Sequence, residues 1–209
     1  MVRTGPNQAA GKGPLRPARS LEHAPDGLES YLKIHGRDSL FEREAGKESG
    51  GWCFFMHGRQ ERTGWILRSE TYECDLVTEE GSTEKIHKVR VKFACPASVR
   101  EEVKRQMGLN EAVQKKGEGP HFLPRYRHAV PDRTLHELRE NREVLFFTLL
   151  EGEILRGLVT GFSTYEIRLS MKGQVPVVLL RHALFDVRDK RGMSYLKKTP
   201  EKTTQGAGT

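Results

Sequence analysis

The feature that most constrains the fold of this 209-residue chain is an internal repeat with an offset of about 93 residues. Two glycines, a Thr-Tyr-Glu tripeptide, a leucine and a histidine occur in the same order in both halves. They are Gly58, Gly64, Thr71-Tyr72-Glu73, Leu76 and His87 in the first copy, and Gly152, Gly157, Thr164-Tyr165-Glu166, Leu169 and His182 in the second. Because order and spacing are both kept, we expect two copies of one structural unit.

Each copy has the pattern of short strands separated by turns. The predicted strands are 52–56, 62–69, 71–78 and a last pair over 85–93 in the first copy, and 144–150, 153–162, 164–170, 175–180 and 183–187 in the second. In the segment 164–170, alternation places Tyr165 on the same apolar face as Ile167 and Leu169. Strands of about five residues at this spacing are typical of small antiparallel barrels. Gly64 and Gly157 lie inside strands, where they permit the sharp bends of such a barrel.

Helices are predicted outside the strands. Residues 28–35 are expected to form one short helix. The capping-box sequence that begins at Ser98 predicts a second helix to about Lys116. Asp132 is expected to cap a third helix over 133–141, with Leu135 and Leu138 facing the barrel.

The net charge of +7 is concentrated at the two ends of the chain. Residues 1–20 carry +4 and residues 190–209 carry +4, so the remainder is close to neutral. Both ends have few large apolar side chains, and we expect basic disordered tails over 1–26 and 190–209. Basic tails suit a polyanionic partner, and they equally serve solubility alone.

Several functional classes lack support in the sequence. The cysteines Cys53, Cys74 and Cys95 are too few and too widely spaced for a disulfide framework, which favours a reducing cytoplasm. No apolar run reaches the ~18 residues of a membrane helix, and no secretory signal is evident. No nucleophile elbow or complete set of metal ligands is recognisable. We therefore expect no enzyme activity, cofactor, metal site or small-molecule substrate.

The second copy carries a more specific signal. A short helix precedes five strands, and the tripeptide Arg181-His182-Ala183 stands just before the last strand. In this order residues 134–189 resemble the bacterial Sm-like RNA chaperone Hfq, in which the tripeptide is usually Lys-His-Ala. Through the repeat, residues 52–95 look like a diverged second Sm-like unit, with Ile86-His87-Lys88 at the tripeptide position.

The resemblance implies a mainly β protein with two tandem Sm-like units, each a small bent five-stranded antiparallel barrel with a short N-terminal helix. The expected organisation is a tail over 1–26, a diverged domain over 27–95, a helical linker over 96–131, an Hfq-like domain over 132–189 and a tail over 190–209. Because the family assembles into rings through edge strands, we expect a homo-oligomer, specifically a trimer that forms a pseudo-hexameric ring.

The resemblance also implies RNA-binding residues. Tyr165 would stack on a base, while Arg181 and His182 would supply hydrogen bonds and charge. Tyr72 and His87 are their counterparts in the first copy. By periodicity alone, Tyr165 would instead be a core residue and His182 an ordinary residue at a strand end.

A second set of RNA contacts is implied on the lateral rim of the family. Arg139 and Arg142 match this arginine patch and are expected on one face of the predicted helix. The chain departs from the family at Pro131, where a glutamine is usual, and at Thr148, where a tyrosine is usual.

The function expected from these features is that of an Hfq-like RNA chaperone in post-transcriptional regulation, which binds single-stranded, U-rich RNA. The alternative is a protein-interaction or assembly scaffold that keeps the fold with reduced RNA binding. Acidic residues around the first-copy tyrosine favour the alternative, because they would repel phosphate. They are Glu70, Glu73, Asp75, Glu79 and Glu80.

Overall fold

The computed structural model describes residues 26–47 and 50–196. The expected disorder of the tails over 1–26 and 190–209 therefore lies mostly outside the described residues. Within them, no helix is both long enough and apolar enough to cross a membrane.

The described residues form five α-helices and eleven β-strands, which confirms the prediction of a mainly β protein. The helices are α1 (Asp26–His35), α2 (Leu40–Glu44), α3 (Arg100–Gln106), α4 (Glu111–Gln114) and α5 (Asp132–Glu140). The strands are β1 (Trp52–Met56), β2 (Glu61–Ser69), β3 (Glu73–Thr78), β4 (Thr83–His87), β5 (Val91–Pro96), β6 (Gly108–Leu109), β7 (Val144–Leu149), β8 (Glu153–Phe162), β9 (Glu166–Met171), β10 (Val175–Leu180) and β11 (Leu184–Arg188).

The strands form one continuous antiparallel sheet. Its order is β11-β7-β8-β9-β10-β5-β1-β2-β3-β4, with the short β6 paired to β8. Each half has the same internal order, in which the fifth strand pairs with the first. The halves join where β10 pairs with β5, at Val178 opposite Ala94 and Leu179 opposite Phe93. The path is open at both ends, so the architecture observed is one sheet of two repeats and not a closed barrel.

Gly64 and Gly157 occupy equivalent positions where two strands approach too closely for a side chain. A Cβ atom at Gly64 would lie 2.0 Å from the carbonyl oxygen of Val77, and one at Gly157 would lie 2.8 Å from that of Ser170. A shift of register follows each glycine in its strand pair. The repeat of glycines therefore corresponds to a repeated irregularity of the sheet.

The helices are distributed unevenly between two hydrophobic cores. Leu40 and Phe41 of α2 are buried in the core of the first half. Leu135 and Leu138 of α5 are buried in the core of the second half, as predicted. Helix α1 also packs on the second half, although it precedes the first. The hydroxyl of its Tyr31 donates to the carbonyl of Phe162 (2.9 Å) and accepts from the amide of the same residue (2.7 Å).

Buried charges also join the two halves. Lys92 of β5 is 1% exposed, and its Nζ lies 2.6 Å from a carboxylate oxygen of Glu151 and also bonds Glu153. Glu151 accepts a further bond from the amide of Gly58 (2.6 Å) and lies 3.1 Å from Nδ1 of His57. Burial acts to raise the pKa of Glu151, but the hydrogen bonds from His57, Lys92 and Gly58 outweigh it and lower that pKa to about 2.

Two helix predictions were wrong in detail. The helix expected from Ser98 to about Lys116 is interrupted after α3, and β6 follows. Asn110 then starts α4, where its side chain accepts a bond from the amide of Val113. Asp132 is the first residue of α5 and makes no capping bond. Its carboxylate accepts a bond from Arg181 instead.

The third strand of each repeat begins two residues later than predicted. Strand β3 begins at Glu73 and β9 at Glu166, so Tyr72 and Tyr165 lie in the turns before them. The amides of Tyr165 and Glu166 both donate to the hydroxyl of Ser163, which forms this turn. The placement of Tyr165 on an apolar strand face was therefore wrong, since its ring is largely exposed.

Part of the predicted C-terminal tail is ordered. Residues 189–196 fold back along the outer edge of β11, where the amide of Tyr195 donates to the carbonyl of Val187 (2.9 Å). Ser194 and Arg188 form an isolated bridge. Tyr195 and Leu196 pack against the second core, which explains why these residues are not simply a solvated tail.

Candidate nucleic-acid interface

A groove of about 1170 Å³ lies between the two halves of the sheet. Five of the seven residues predicted to bind RNA line it, and they come from both repeats. They are Tyr72, His87, Tyr165, Arg181 and His182. The repeat alone predicts one site in each copy, whereas the pairing of β10 with β5 makes the two copies the walls of one groove.

The two tyrosines are held in the same way. The carbonyl of Tyr72 accepts a bond from the amide of Lys88 (2.8 Å), and the carbonyl of Tyr165 accepts one from the amide of Arg181 (2.9 Å). Each donor begins a short 3-10 turn. Both rings remain free of the core, with 72% of Tyr72 and 54% of Tyr165 exposed.

Phe122 adds an aromatic ring that sequence analysis missed. It lies in the segment between α4 and α5, lines the groove and is 59% exposed. Its ring meets His87 edge-on at 5.4 Å, and His87 lies 6.4 Å from Tyr72 with the two rings nearly parallel. The sequence feature that could have indicated this residue is the occurrence of a large aromatic side chain in a Gly- and Pro-rich connecting segment.

Two of the histidines that line the groove, His87 and His182, are tied to the backbone. Nε2 of His182 lies 2.9 Å from the carbonyl of Val91 and must carry the proton, because a carbonyl only accepts. Burial lowers the pKa of His182 to about 4, so its ring is neutral at pH 7. Nδ1 of His87 accepts a bond from the amide of Val89.

The basic residues of the groove are engaged by protein groups. Arg181 donates to Asp132 (2.6 Å) and to the carbonyls of Ser163 (2.8 Å) and Val130 (2.6 Å). Its guanidinium therefore ties α5 to the turn that carries Tyr165.

Two further cations in the groove are similarly occupied. Lys88 donates to the hydroxyl of Ser69 (2.9 Å) and to the carbonyl of Glu70. Arg127 donates to the carbonyls of His121 and Phe122 (2.9 Å each). Burial lowers the pKa of both Lys88 and Arg127. Aromatic surface is thus more available in the groove than free positive charge.

The predicted arginine patch does not join the groove and does not share a helix face. Arg139 lies in α5, where its guanidinium stacks 4.3 Å from the ring centre of Tyr31 and pairs with Glu140. Arg142 lies beyond the end of the helix with a φ of 50°. The prediction that the two arginines share one helix face was wrong because α5 ends at Glu140, before Arg142.

The acidic residues near Tyr72 are partly neutralised by neighbouring cations. Arg68 lies 3.1 Å from carboxylates of both Glu70 and Asp75. Lys85 lies 3.5 Å from Asp75 and 3.6 Å from Glu73. The repulsion of phosphate that the sequence alone suggested is therefore reduced on this wall.

Three potential metal ligands also meet in the segment between α4 and α5, although the sequence predicted none. They are Glu118, His121 and His128, and their ligand atoms lie within 4.8 Å of one another. Burial lowers the pKa of His128, which also lines the groove. The spacing of the two histidines, with six residues between them in an irregular segment, is not a recognisable metal motif.

Comparison of the sequence with models of protein families and with curated proteins gives no match, so the interpretation of function rests on this geometry and on the repeat.

Proposed function

We propose that the protein binds single-stranded RNA in the groove between its two halves, as an Hfq-like RNA chaperone. The observation that carries the proposal is the convergence of three exposed aromatic rings, those of Tyr72, Phe122 and Tyr165, on one groove. An unpaired base stacked on an aromatic side chain gains ~1–3 kcal/mol. Bases inside a duplex are already stacked, so such a groove favours single strands.

The Sm-like interpretation is supported by the arrangement of the repeats. In each half a short helix precedes five strands, which is the order that the resemblance to Hfq predicts. The tripeptide segment of each half is backbone-bonded to the tyrosine of the same half. On this proposal Tyr72 and Tyr165 stack on bases, while His87, Arg181 and His182 shape the walls.

The proposal is tested by fluorescence anisotropy with labelled oligouridine, oligoadenosine and duplex DNA over a series of salt concentrations. Tyr72→Ala and Tyr165→Ala are each expected to weaken oligouridine binding by about tenfold, because each removes one stacking surface. Tyr126→Ala is the matched control, since that tyrosine is 57% exposed and does not line the groove.

Retention of wild-type oligouridine affinity by the Tyr72→Ala/Tyr165→Ala double variant would overturn the proposal. Equal binding of all three nucleic acids that falls steeply with salt would assign binding to the basic ends of the chain, because nonspecific phosphate contacts release counterions.

A protein-interaction scaffold is the second candidate, and one observation favours it. The groove cations Lys88, Arg127 and Arg181 already donate to protein oxygens, so few donors are left for phosphate. A peptide with apolar or aromatic side chains would use the same rings without requiring charge. Failure of every nucleic acid to bind at low salt would favour this candidate.

The expected ring also belongs to the proposal, with a structural condition. Ring closure requires the outer edges of β4 and β11 to pair with neighbouring copies. The chain's own residues 193–196 occupy part of the β11 edge, as described above. Assembly into a trimer therefore requires that this segment leave the edge.

A further inference from the structure

The segment between α4 and α5 brings together three side chains that commonly bind transition metals. Nε2 of His121 lies 3.4 Å from a carboxylate oxygen of Glu118, and Nε2 of His128 lies 4.0 Å from the same oxygen. All three side chains are partly buried, and their ligand atoms form a compact triangle.

The triangle has dimensions close to those of a zinc site. Zn–N and Zn–O bonds of about 2.0–2.2 Å in a tetrahedron place neighbouring ligand atoms roughly 3.3–3.5 Å apart. The pair of His121 and Glu118 already has this spacing, and the widest pair needs to close by at most about 1.5 Å. Two imidazoles and one carboxylate form a donor set that zinc takes with a water in the fourth position.

The backbone around the triangle is held in place by other contacts. Arg127 donates to the carbonyls of His121 and Phe122 and so closes the loop that connects the two histidines. The ring of His128 packs edge-on against Phe185 at 5.3 Å. A partly preorganised ligand set binds a metal ion at a smaller cost in conformational entropy.

We propose that Glu118, His121 and His128 form a binding site for one divalent zinc ion. The site lies on the connecting segment and its ligand His128 lines the groove. Zinc would fix the segment that carries Phe122 and so fix one aromatic wall of the groove. Zinc binding itself does not depend on whether the groove binds RNA.

The test is calorimetric titration of the metal-free full chain with Zn²⁺, together with Co²⁺ titration followed by visible absorption. The expected result is one ion per chain and a tetrahedral Co²⁺ spectrum. His121→Ala, His128→Ala and Glu118→Gln are each expected to weaken Zn²⁺ binding by at least tenfold. His35→Ala is the matched control, because that histidine also pairs with a carboxylate, that of Asp38, outside the triangle.

Hydrogen exchange provides a second readout that does not involve RNA. The amides of residues 118–128 are expected to exchange more slowly with Zn²⁺ present, and this protection should vanish in the His121→Ala/His128→Ala double variant. Wild-type Zn²⁺ affinity in the double variant, or no protection of these amides at saturating Zn²⁺, would overturn the proposal. Circular dichroism of each variant verifies that it is folded.

Discussion

His182 lines the groove, but its hydrogen bond serves the contact between the two halves. The proton on Nε2 is committed to the carbonyl of Val91, which belongs to the other repeat. Burial lowers its pKa to about 4, whereas an unfolded histidine titrates near ~6.5. Between these values the unfolded state binds more protons than the folded state. Stability from this group is therefore complete above the unfolded pKa and is lost as the pH falls towards 4.

We therefore expect the free energy of unfolding to fall by about 2 kcal/mol between pH 7 and pH 5 through His182 alone. The side-chain amide of a His182→Gln variant can still donate a hydrogen bond but does not titrate. Its free energy of unfolding should therefore fall by about 2 kcal/mol less than that of the wild type between pH 7 and pH 5. Urea unfolding of both proteins at both pH values measures this difference. The contributions of the other histidines are the same in the two proteins and cancel. Identical pH dependence of the two proteins would contradict the assignment.

The sequence predicted which residues line the groove better than it predicted what those residues contact. The repeat singled out Tyr72, His87, Tyr165 and His182, all of which line the groove. Their environment could not be read from the sequence, because it depends on contacts such as that between Arg181 and Asp132, which are 49 residues apart. Phe122 was not predicted because it lies in the segment between the two copies, which the repeat does not cover.

At the scale of elements, Gly64 and Gly157 allow the close approach of the neighbouring strand, because neither residue has a side chain. The atoms that a new Cβ would meet are backbone oxygens of the neighbouring strand, which cannot rotate away. Gly64 is the tighter of the two positions. Overpacking of this kind costs roughly 1–3 kcal/mol.

Gly64→Ala is accordingly expected to lower the free energy of unfolding by about 3 kcal/mol, and Gly157→Ala by a smaller amount. Gly119→Ala is the control, because a Cβ there meets no atom within 4 Å. Its effect should stay within about 0.5 kcal/mol. Urea unfolding measures all three, and equal stability of the Gly64→Ala and Gly119→Ala variants would rule out the close approach as the cause.

The elements themselves were largely predictable where the chain has a clear period. Strands β1, β8 and β10 have the predicted bounds, and α5 buries Leu135 and Leu138, the two leucines that were expected to face the barrel. The long helix from Ser98 failed because Gly108 and Asn110 interrupt it, and Asn110 caps the next short helix. Local capping chemistry at an interior asparagine outweighed the helical pattern on both sides of it.

For the molecule as a whole, residues 193–196 pair with the outer edge of β11, the edge through which the proposed ring would be extended. Removing residues 193–209 frees the carbonyl of Val187, while removing only 197–209 leaves the bond from Tyr195 in place. The shorter deletion is therefore a matched control for loss of the basic end.

We expect the full chain and the chain ending at Leu196 to form the proposed trimer only at higher protein concentration, because residues 193–196 must first leave the edge of β11. The chain ending at Gly192 should form a discrete trimer through its freed edge. Light scattering coupled to size-exclusion chromatography measures the mass. A monomeric Gly192-ended chain, or an unchanged distribution across all three proteins, would contradict a role for this edge.

The whole-molecule arrangement was the least predictable level. Helix α1 precedes the first repeat but covers the core of the second, because Tyr31 finds its partners at Phe162. Likewise, no local sequence pattern predicts that β5 pairs with β10. Both contacts join distant parts of the chain and depend on the complete fold.

The union of both repeats in one groove has a consequence for inheritance. In an assembly of identical subunits, a single base change in the gene alters every equivalent wall at once. Here Tyr72 and Tyr165 face the same groove from separately encoded segments, so a mutation alters one wall and leaves its counterpart intact. The two walls are therefore free to diverge in chemistry, as the acidic surroundings of Tyr72 already illustrate.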